Sequence, residues 1–508
     1  MSVNKTEAEA AQDKIAWGAL WALVIGFFMI LVDSTIVSTA MPAIMNGLDT
    51  DINGVIWVNS AYLLAFAVPL LITGRLGDRY GPRSIFLIGL VVFTLSSLWC
   101  GLSSSVESLI IARVVQGLGA SMMSPQTMTF ITRMFPYARR GAAMGLWGAV
   151  AGIATLVGPI LGGVLVDTLG WEWIFFVNVP VGILAIWRVL LKVPELERHS
   201  HSFDWLGVAL SAVAMFLLVF GIQEGNGHDW KAFIGPIGSW HMIVGGIVLL
   251  MIFVFWQSKT KAEPLVPLGL FKDRNFSLAN VAITFMGLAI TAMSFPMILY
   301  LQSVRGLTPT LSALMLAPMA VVAGVLAPIV GKNVSRIEAK YFAIPGFFLF
   351  GAAITVYGLI LREDTPFWVL LIPPVFMGVG SAMIWPAVSL AATRDLGQAD
   401  AGAGSGIYNT TRQIGAVLGS ALIALMMESR IAAESQKAVE SAAAGAKGAA
   451  AVASGAGGEP GMGAVVPEFL HHAFSLALGQ ALLLPGLVAI AGAVVALFFR
   501  KGAKPKSK

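Results

Sequence analysis

Asp33 stands as a single carboxylate in the run FFMILVDSTIVSTAMP (27–42), where every other residue is apolar or carries only a hydroxyl. A carboxylate away from water must find a partner or take a proton. An ionisable residue within a membrane segment therefore marks function by default. Arg113, in LIIARVVQGLGA (109–120), is the natural partner. A nearby guanidinium favours the ionised carboxylate, and burial favours the protonated one once the pair separates. The pair can exchange a proton, or it can be a static ion pair. Arg412, in YNTTRQIGAVLG (408–419), is a third intramembrane charge. It can line a cavity and bind anions, hold a bundle together, or satisfy carbonyls at a helix break. Other chemistry is absent. No metal-ligand cluster falls in the apolar runs, and no GxxxxGKS nucleotide loop or activated nucleophile occurs. HSHS (199–202) reads as a linker, His471-His472 as a helix entry, and the lone Cys100 as a small core residue. The expectation is no enzyme, no metal and no cofactor.

These charges need elements to hold them at depth. The 508 residues are 57% hydrophobic and 12% charged, with mean hydropathy +0.82. Soluble domains carry roughly 25% charged residues. The apolar runs are helix-length, unlike the short alternating segments of a barrel. They predict fourteen spans: 16–40, 54–74, 84–104, 106–128, 139–166, 171–192, 204–224, 236–258, 275–302, 309–330, 340–361, 367–390, 399–427 and 470–500. With both termini cytoplasmic, 24 of the 32 Lys and Arg fall in the inside segments or at the inner ends of the spans, six fall outside, and two, Arg113 and Arg412, lie deep within spans. That bias follows the positive-inside rule and explains the net charge of +5 without nucleic acid. At 1.5 Å per residue, Asp33 and Arg113 share a depth of roughly 10–14 Å. The polar N-terminus does not resemble a cleavable signal. The Ala/Gly-rich stretch 428–468 reads as an extracellular loop, flexible or partly helical.

The chain repeats itself. GLGASMMSP (117–125) matches GVGSAMIWP (378–386), and GAAMGLW (141–147) matches GAGSGIY (402–408), both 261 residues apart. GRLGDRYGPR (74–83) has a degraded echo, GKNVSRIEAK (331–340), at offset 257. The expected organisation is two parallel six-helix repeats, 1–200 and 263–508, around an inserted helix pair in 201–262. Parallel repeats place the substrate path between them.

At this point the motifs resemble a known family. GRLGDRYGPR is similar to the loop signature of the major facilitator superfamily, LIIARVVQGLGA to its helix-4 motif, and GAVAGIATLVGPILGG (148–163) to its helix-5 antiporter motif. LVDSTIVSTAMP (31–42) and WEWIFFVNVPVG (171–182) resemble the fourteen-helix drug:proton antiporters. The resemblance implies an all-α integral membrane fold that works by alternating access. It makes Asp33 and Arg113 the proton-coupling pair. Gly74, Asp78, Arg79, Gly81, Arg83, Gly158 and Pro159 become the conformational gate, with the helix-5 Gly-Pro and Gly-Gly pairs at the half–half interface. Two departures stand out. Pro82-Arg83 replaces a basic pair, and Ser335 stands at the repeat position of Asp78, so the two gates should differ in strength.

Candidate cavity aromatics are Trp57, Tyr62, Trp147, Phe295, Tyr300, Trp385 and Tyr408, beside Arg412 and the methionines Met293, Met297 and Met383. Such side chains suit lipophilic or cationic ligands. With one deep carboxylate opposed by an arginine, monovalent lipophilic cations or neutral compounds are expected over dications. Asp204 and Glu224, near the ends of the inserted pair, read as solvated interfacial acids. The leading expectation is a proton-driven exporter of amphiphilic drugs. The alternatives are a dedicated exporter of one metabolite, lipid or siderophore, and a non-transporting sensor. The expected partners are small-molecule substrates, protons and the bilayer. A monomer in a bacterial plasma membrane is what the resemblance suggests.

Overall fold

The computed structural model describes residues 2–50, 52–197, 204–227, 232–234, 237–260, 264–397, 400–443 and 468–500. HSHS and the middle of the 428–468 stretch lie outside the described residues. Thirteen described helices are long and apolar enough to cross a membrane, and a pair bent by 46° makes a fourteenth. In chain order these are α1 (Ser2–Gly47), α2 (Ile52–Ala67, resuming as Leu70–Tyr80), α3 (Pro82–Gly101), α4 (Val106–Met134), α5 (Tyr137–Leu169), α6 (Trp173–Phe176 and Asn178–Lys192), α7 (Trp205–Gly227) and α8 (Ser239–Lys259). They continue with α9 (Arg274–Leu299), α10 (Pro309–Met315 and Ala317–Val334), α11 (Lys340–Ile360), α12 (Phe367–Leu370 and Ile372–Thr393), α13 (Ala401–Ala443) and α14 (His471–Leu497). The bend in α2 falls before Leu70, where Pro69 cannot donate a backbone hydrogen bond. A two-stranded ribbon, β1 (Ala232–Ile234) and β2 (Ile237–Gly238), joins α7 to α8. Helix α13 runs through Ala443, so the first part of the stretch read as a loop is helix.

The repeat is built into the packing. In the first half α1 packs on α5 and α6, α2 on α4, and α3 on α4 and α6; in the second, α9 packs on α13 and α14, α10 on α12, and α11 on α12 and α14. Glycines set the same crossings in both halves. A Cβ on Gly117 would stand 2.5 Å from Tyr62 O, and one on Gly378 would stand 2.6 Å from Met319 O. Gly119 faces Gly89 and Phe93 as Gly380 faces Gly346 and Phe350, the glycines of α4 and α12 repeating at 261 residues and the residues they face at 257. Small residues let backbones approach where lipid supplies no hydrophobic drive between helices. The halves meet chiefly where α5 packs on α10 and α13 on α2, and also where α5 touches α12 and α4 touches α13. Outward faces expose Leu95, Phe255, Leu359 and Leu487, the surface a bilayer would cover.

The inserted pair α7/α8 packs on itself and on α2 and α13 through Leu64, Met215, Val219 and Val417. Asp204, expected to be solvated, is buried instead. It accepts from Trp256 Nε1 (2.9 Å), Gln257 Nε2 (2.7 Å) and the Gly207 backbone N–H (2.9 Å), closing the start of α7 onto the end of α8. The Glu224 side chain lies outside the described residues. The first and last described helices have their outer ends at one face of the bundle: Asp13 pairs with Arg139, and Arg500 N donates to Asn275 Oδ1.

Candidate functional site

Asp33 has no exposed surface and is held entirely by N–H donors. Arg113 Nη1 donates to Oδ2 at 2.5 Å, while Gln116 Nε2 and Asn178 Nδ2 each donate to Oδ1 at 2.9 Å. Four elements meet here. Helix α1 brings Asp33, α4 brings Arg113 and Gln116 one turn apart on one face, α6 brings Asn178, and α2 contributes the Val58 carbonyl that accepts from Arg113 Nε at 3.2 Å. The Tyr62 ring lies 4.0 Å under the guanidinium, and Arg113 Nη1 also donates to Gln116 Oε1 at 2.7 Å. Asn178 Nδ2 further reaches Ser97 Oγ at 3.0 Å. The two charges thus pair directly. Gln116 and Asn178 were missed in the sequence. Their signal was available: an amide one turn from Arg113, and an amide in the apolar WEWIFFVNVP.

The second cluster lies at the face that carries the chain ends. Asp78, fully buried, accepts from Arg133 Nη2 at 2.5 Å and from the backbone N–H groups of Gly402 and Ala403 at 3.0 Å each. Those N–H groups open α13, where the helix dipole favours an anion. Asp78 therefore ties the first half to the second. Gly74 sits one turn away, and a Cβ on it would stand 2.6 Å from Gly402 O. The repeat-related crossing brings Gly331 against Gly141 and Gly145, where Ser335 Oγ donates to Ala138 O at 2.7 Å. A neutral bond replaces the charged cluster, as the serine predicts. Gly81 turns the chain with φ 91°, a conformation that glycine adopts freely. Arg79 lies over the Tyr80 ring at 5.3 Å.

Several expected placements need correction. Arg83, expected in the gate, reaches α6 of its own half, donating to Leu190 O at 2.9 Å. Arg133 is the arginine on Asp78, and Arg75 ties the linker by donating to Pro264 O and Leu265 O. Gly158, with Pro159 next to it, does not sit at the half–half interface. It and Gly162 press on α1 within the same half, against Val32, Thr35, Ile36 and Thr39, next to Asp33. Of the three glycines in the Gly-Pro and Gly-Gly pairs, Gly163 faces the other half, at Thr310. Trp57 meets Phe220 of the inserted pair at 5.5 Å with the rings tilted by 41°, so it faces α7. Tyr300 is tied to the end of α11, its hydroxyl donating to Arg362 O at 2.6 Å and accepting from Arg305. Phe295 is 41% exposed, outside the buried clusters. Tyr62 belongs to the charge cluster.

Trp147, Trp385 and Tyr408 do converge in one buried cluster between the halves. Trp147 stacks on Phe27 at 4.8 Å and meets Trp385 edge-on at 6.1 Å. Met293 and Met297 are buried in the same cluster, while Met383 packs toward Gly346 of α11. Trp147 Nε1, the Tyr408 hydroxyl, and Arg412 Nε and Nη2 are buried without hydrogen-bond partners among the described residues. Tyr408 and Arg412 lie one turn apart on α13. No group of three or more His, Cys, Asp or Glu that could hold a metal occurs among the described residues.

The family model described as Major Facilitator Superfamily matches residues 23–420. The chain belongs to the Major Facilitator Superfamily. It is a multi-span membrane transporter by that membership, of a class that is generally not enzymatic. It is 48% identical to an uncharacterized MFS-type transporter of Mycobacterium tuberculosis, over 95% of this chain and 80% of that one. It is 33% identical to the tetracenomycin C resistance and export protein of Streptomyces glaucescens, over 96% and 92%. Among solved structures, the proton:xylose symporter XylE bound to 6-bromo-6-deoxy-D-glucose aligns with TM-score 0.62 and 14% identity, covering 95% of each chain. That likeness is one of fold.

Proposed function

We propose that this major facilitator exports amphiphilic small molecules in exchange for protons, from a bacterial plasma membrane and as a monomer. The donor shell of Asp33 carries the reading. Each group on the carboxylate is an N–H donor, so the arrangement suits the ionised form alone. Protonation would turn an acceptor oxygen into a donor facing donors, and would release Arg113. The change has a route outward. Gly158 and Gly162 lock α5 to α1 beside Asp33, and Gly141 and Gly145 of the same α5 meet α10 across the halves. A proton on Asp33 would bias how the halves rock. No cofactor enters, since the proton gradient supplies the energy. The relative named for tetracenomycin C resistance and export supports the outward direction.

The substrate reading follows the charges left free. Asp33 is fully engaged, whereas Arg412, Trp147 and Tyr408 hold unpaired buried donors. Such groups are costly unless a ligand completes them. They favour substrates bearing a carboxylate, phenolate or carbonyl over the monovalent cations that the single deep carboxylate and the aromatic lining lead us to expect beside neutral compounds. A dedicated metabolite exporter shares this chemistry; a broad set of competing ligands would separate the two. The test uses inside-out vesicles with an imposed pH gradient, with one acidic and one cationic fluorescent dye side by side. Wild type should accumulate dye, and Asp33→Asn at equal expression should bind it without accumulation. Equal accumulation by both makes Asp33 structural. Uptake of the cationic dye alone, unchanged in Arg412→Gln, refutes the acceptor-bearing substrate.

A further inference from the structure

A groove of ≈ 1080 Å³ opens on the outside of the first half, at the face carrying the chain ends, away from the half–half interface. One stripe of α1 forms a wall, with Lys14, Gly18, Trp21 and Ile25 at helical spacing. The end of α6 forms the other wall through Arg188 and Lys192, and Arg83 closes it at the start of α3. Four cations line the groove and no carboxylate does. Asp13, next to Lys14, is taken by Arg139. Glu195 approaches Arg83 only at 3.8 Å and is largely exposed. Arg83 keeps its Nε buried and unpaired while its Nη2 is spent on Leu190 O.

The polarity runs in one direction. The charges cluster where α1 enters the bilayer and α6 leaves it. Trp21, 56% exposed, and Ile25 extend the same α1 stripe two and three turns toward the hydrocarbon. Trp187, also exposed, lies beside Arg188 with the guanidinium 5.6 Å from its ring. Aromatic rings of this kind mark the membrane interface. A soluble anion would use the cations and leave the apolar stripe idle. A phospholipid would use both, and basic pockets between helices at this level suit anionic headgroups.

We propose that this groove between α1, α3 and α6 is a binding site for an anionic phospholipid. Its phosphate is held by Lys14, Arg83, Arg188 and Lys192, and its acyl chain lies along Trp21 and Ile25. The site is separate from the transport pathway. It is tested with purified full-length protein in neutral detergent, comparing wild type with the triple variant Lys14→Gln/Arg188→Gln/Lys192→Gln, whose side chains are exposed. Binding of cardiolipin, phosphatidylglycerol and phosphatidylcholine is measured by native mass spectrometry, and thermal midpoints are followed with each lipid and with inorganic phosphate. Wild type should retain the anionic lipids and gain thermal stability from them. The triple variant should weaken that binding by roughly fivefold per lost cation, about a hundredfold in total. Equal retention of phosphatidylcholine, or undiminished anionic-lipid binding by the triple variant, overturns the proposal. Thermal shifts of equal size with inorganic phosphate make the groove an ion site and overturn it as well. A Trp21→Ala variant that binds phosphatidylglycerol as tightly as wild type refutes the acyl contact.

Discussion

Asp78 and Ser335 occupy equivalent places in the two halves and latch the same face with different chemistry, so replacing each in turn weighs one latch against the other. Asp78→Asn keeps the shape and removes the charge. Hydrogen bonds to a charged group contribute about 1.5–3 kcal/mol each, and neutral ones about 0.5–1.5. Two such bonds cross from Asp78 to the start of α13, at Gly402 and Ala403. The bond to Arg133 lies within the first half and does not distinguish the two states. The charge removal should therefore cost the closed state about 2–3 kcal/mol, or roughly 30- to 150-fold in population at 1.4 kcal/mol per decade. Ser335→Ala loses one neutral bond to Ala138 O, about 0.5–1.5 kcal/mol, or roughly 2- to 12-fold. Spin labels at Tyr80→Cys and Gly397→Cys report the separation of the halves at this face, since Tyr80 ends α2, Gly397 precedes α13 and both are exposed. Pulsed dipolar distances should show a longer population that is much larger in Asp78→Asn than in Ser335→Ala. Equal distributions in the two variants, or none differing from wild type, would refute the assignment of Asp78 as the stronger latch.

Two further outcomes follow from the contacts. Gly331→Ala places a Cβ about where Gly141 O and Gly145 Cα already lie. It should cost the closed state about 1–3 kcal/mol and lengthen the same label distance; an unchanged distance would mean that this crossing is loose. Asn178→Ala removes one of the donors on Asp33 and should cost about 1–3 kcal/mol. Thermal unfolding of the purified protein should show a lowered midpoint, and a midpoint equal to wild type would mean that Asn178 is dispensable to the cluster.

The architecture could be read from sequence because it rests on strong periodic signals: apolar run length, the Lys/Arg bias and glycine spacing. The pairing depth of Asp33 and Arg113 followed from helix rise alone. What failed was direction around a helix. Trp57 and Tyr300 lie on helices expected to line the path, but each turns to a neighbour that the repeat does not specify. Trp57 meets α7, an insertion without a counterpart in the other half. The repeat puts α5 at the interface, yet Gly141, Gly145, Gly148 and Gly152 face the other half while Gly158 and Gly162 face α1. Arg133 is not the arginine the sequence points to, because Arg79 and Arg83 sit closer to Asp78 in the chain, yet it is Arg133 on α4 that donates to the carboxylate. Asp204 looked solvated because its partners, Trp256 and Gln257, lie about fifty residues later.

Helix α13 begins at the Asp78 latch and continues unbroken from Ala401 to Ala443. At 1.5 Å per residue its 43 residues make a rod of about 65 Å, roughly twice the thickness of a bilayer's hydrocarbon core. Such a rod is a lever with its short arm at the latch. A tilt of about 10° about Gly402 would sweep the far end through roughly 11 Å. At that end Glu434 accepts from Gln480 Nε2 of α14 at 3.2 Å, and Arg430 reaches the same side chain. These weak polar ties yield readily, so the rod would carry a small motion at one face of the membrane to the other with gain.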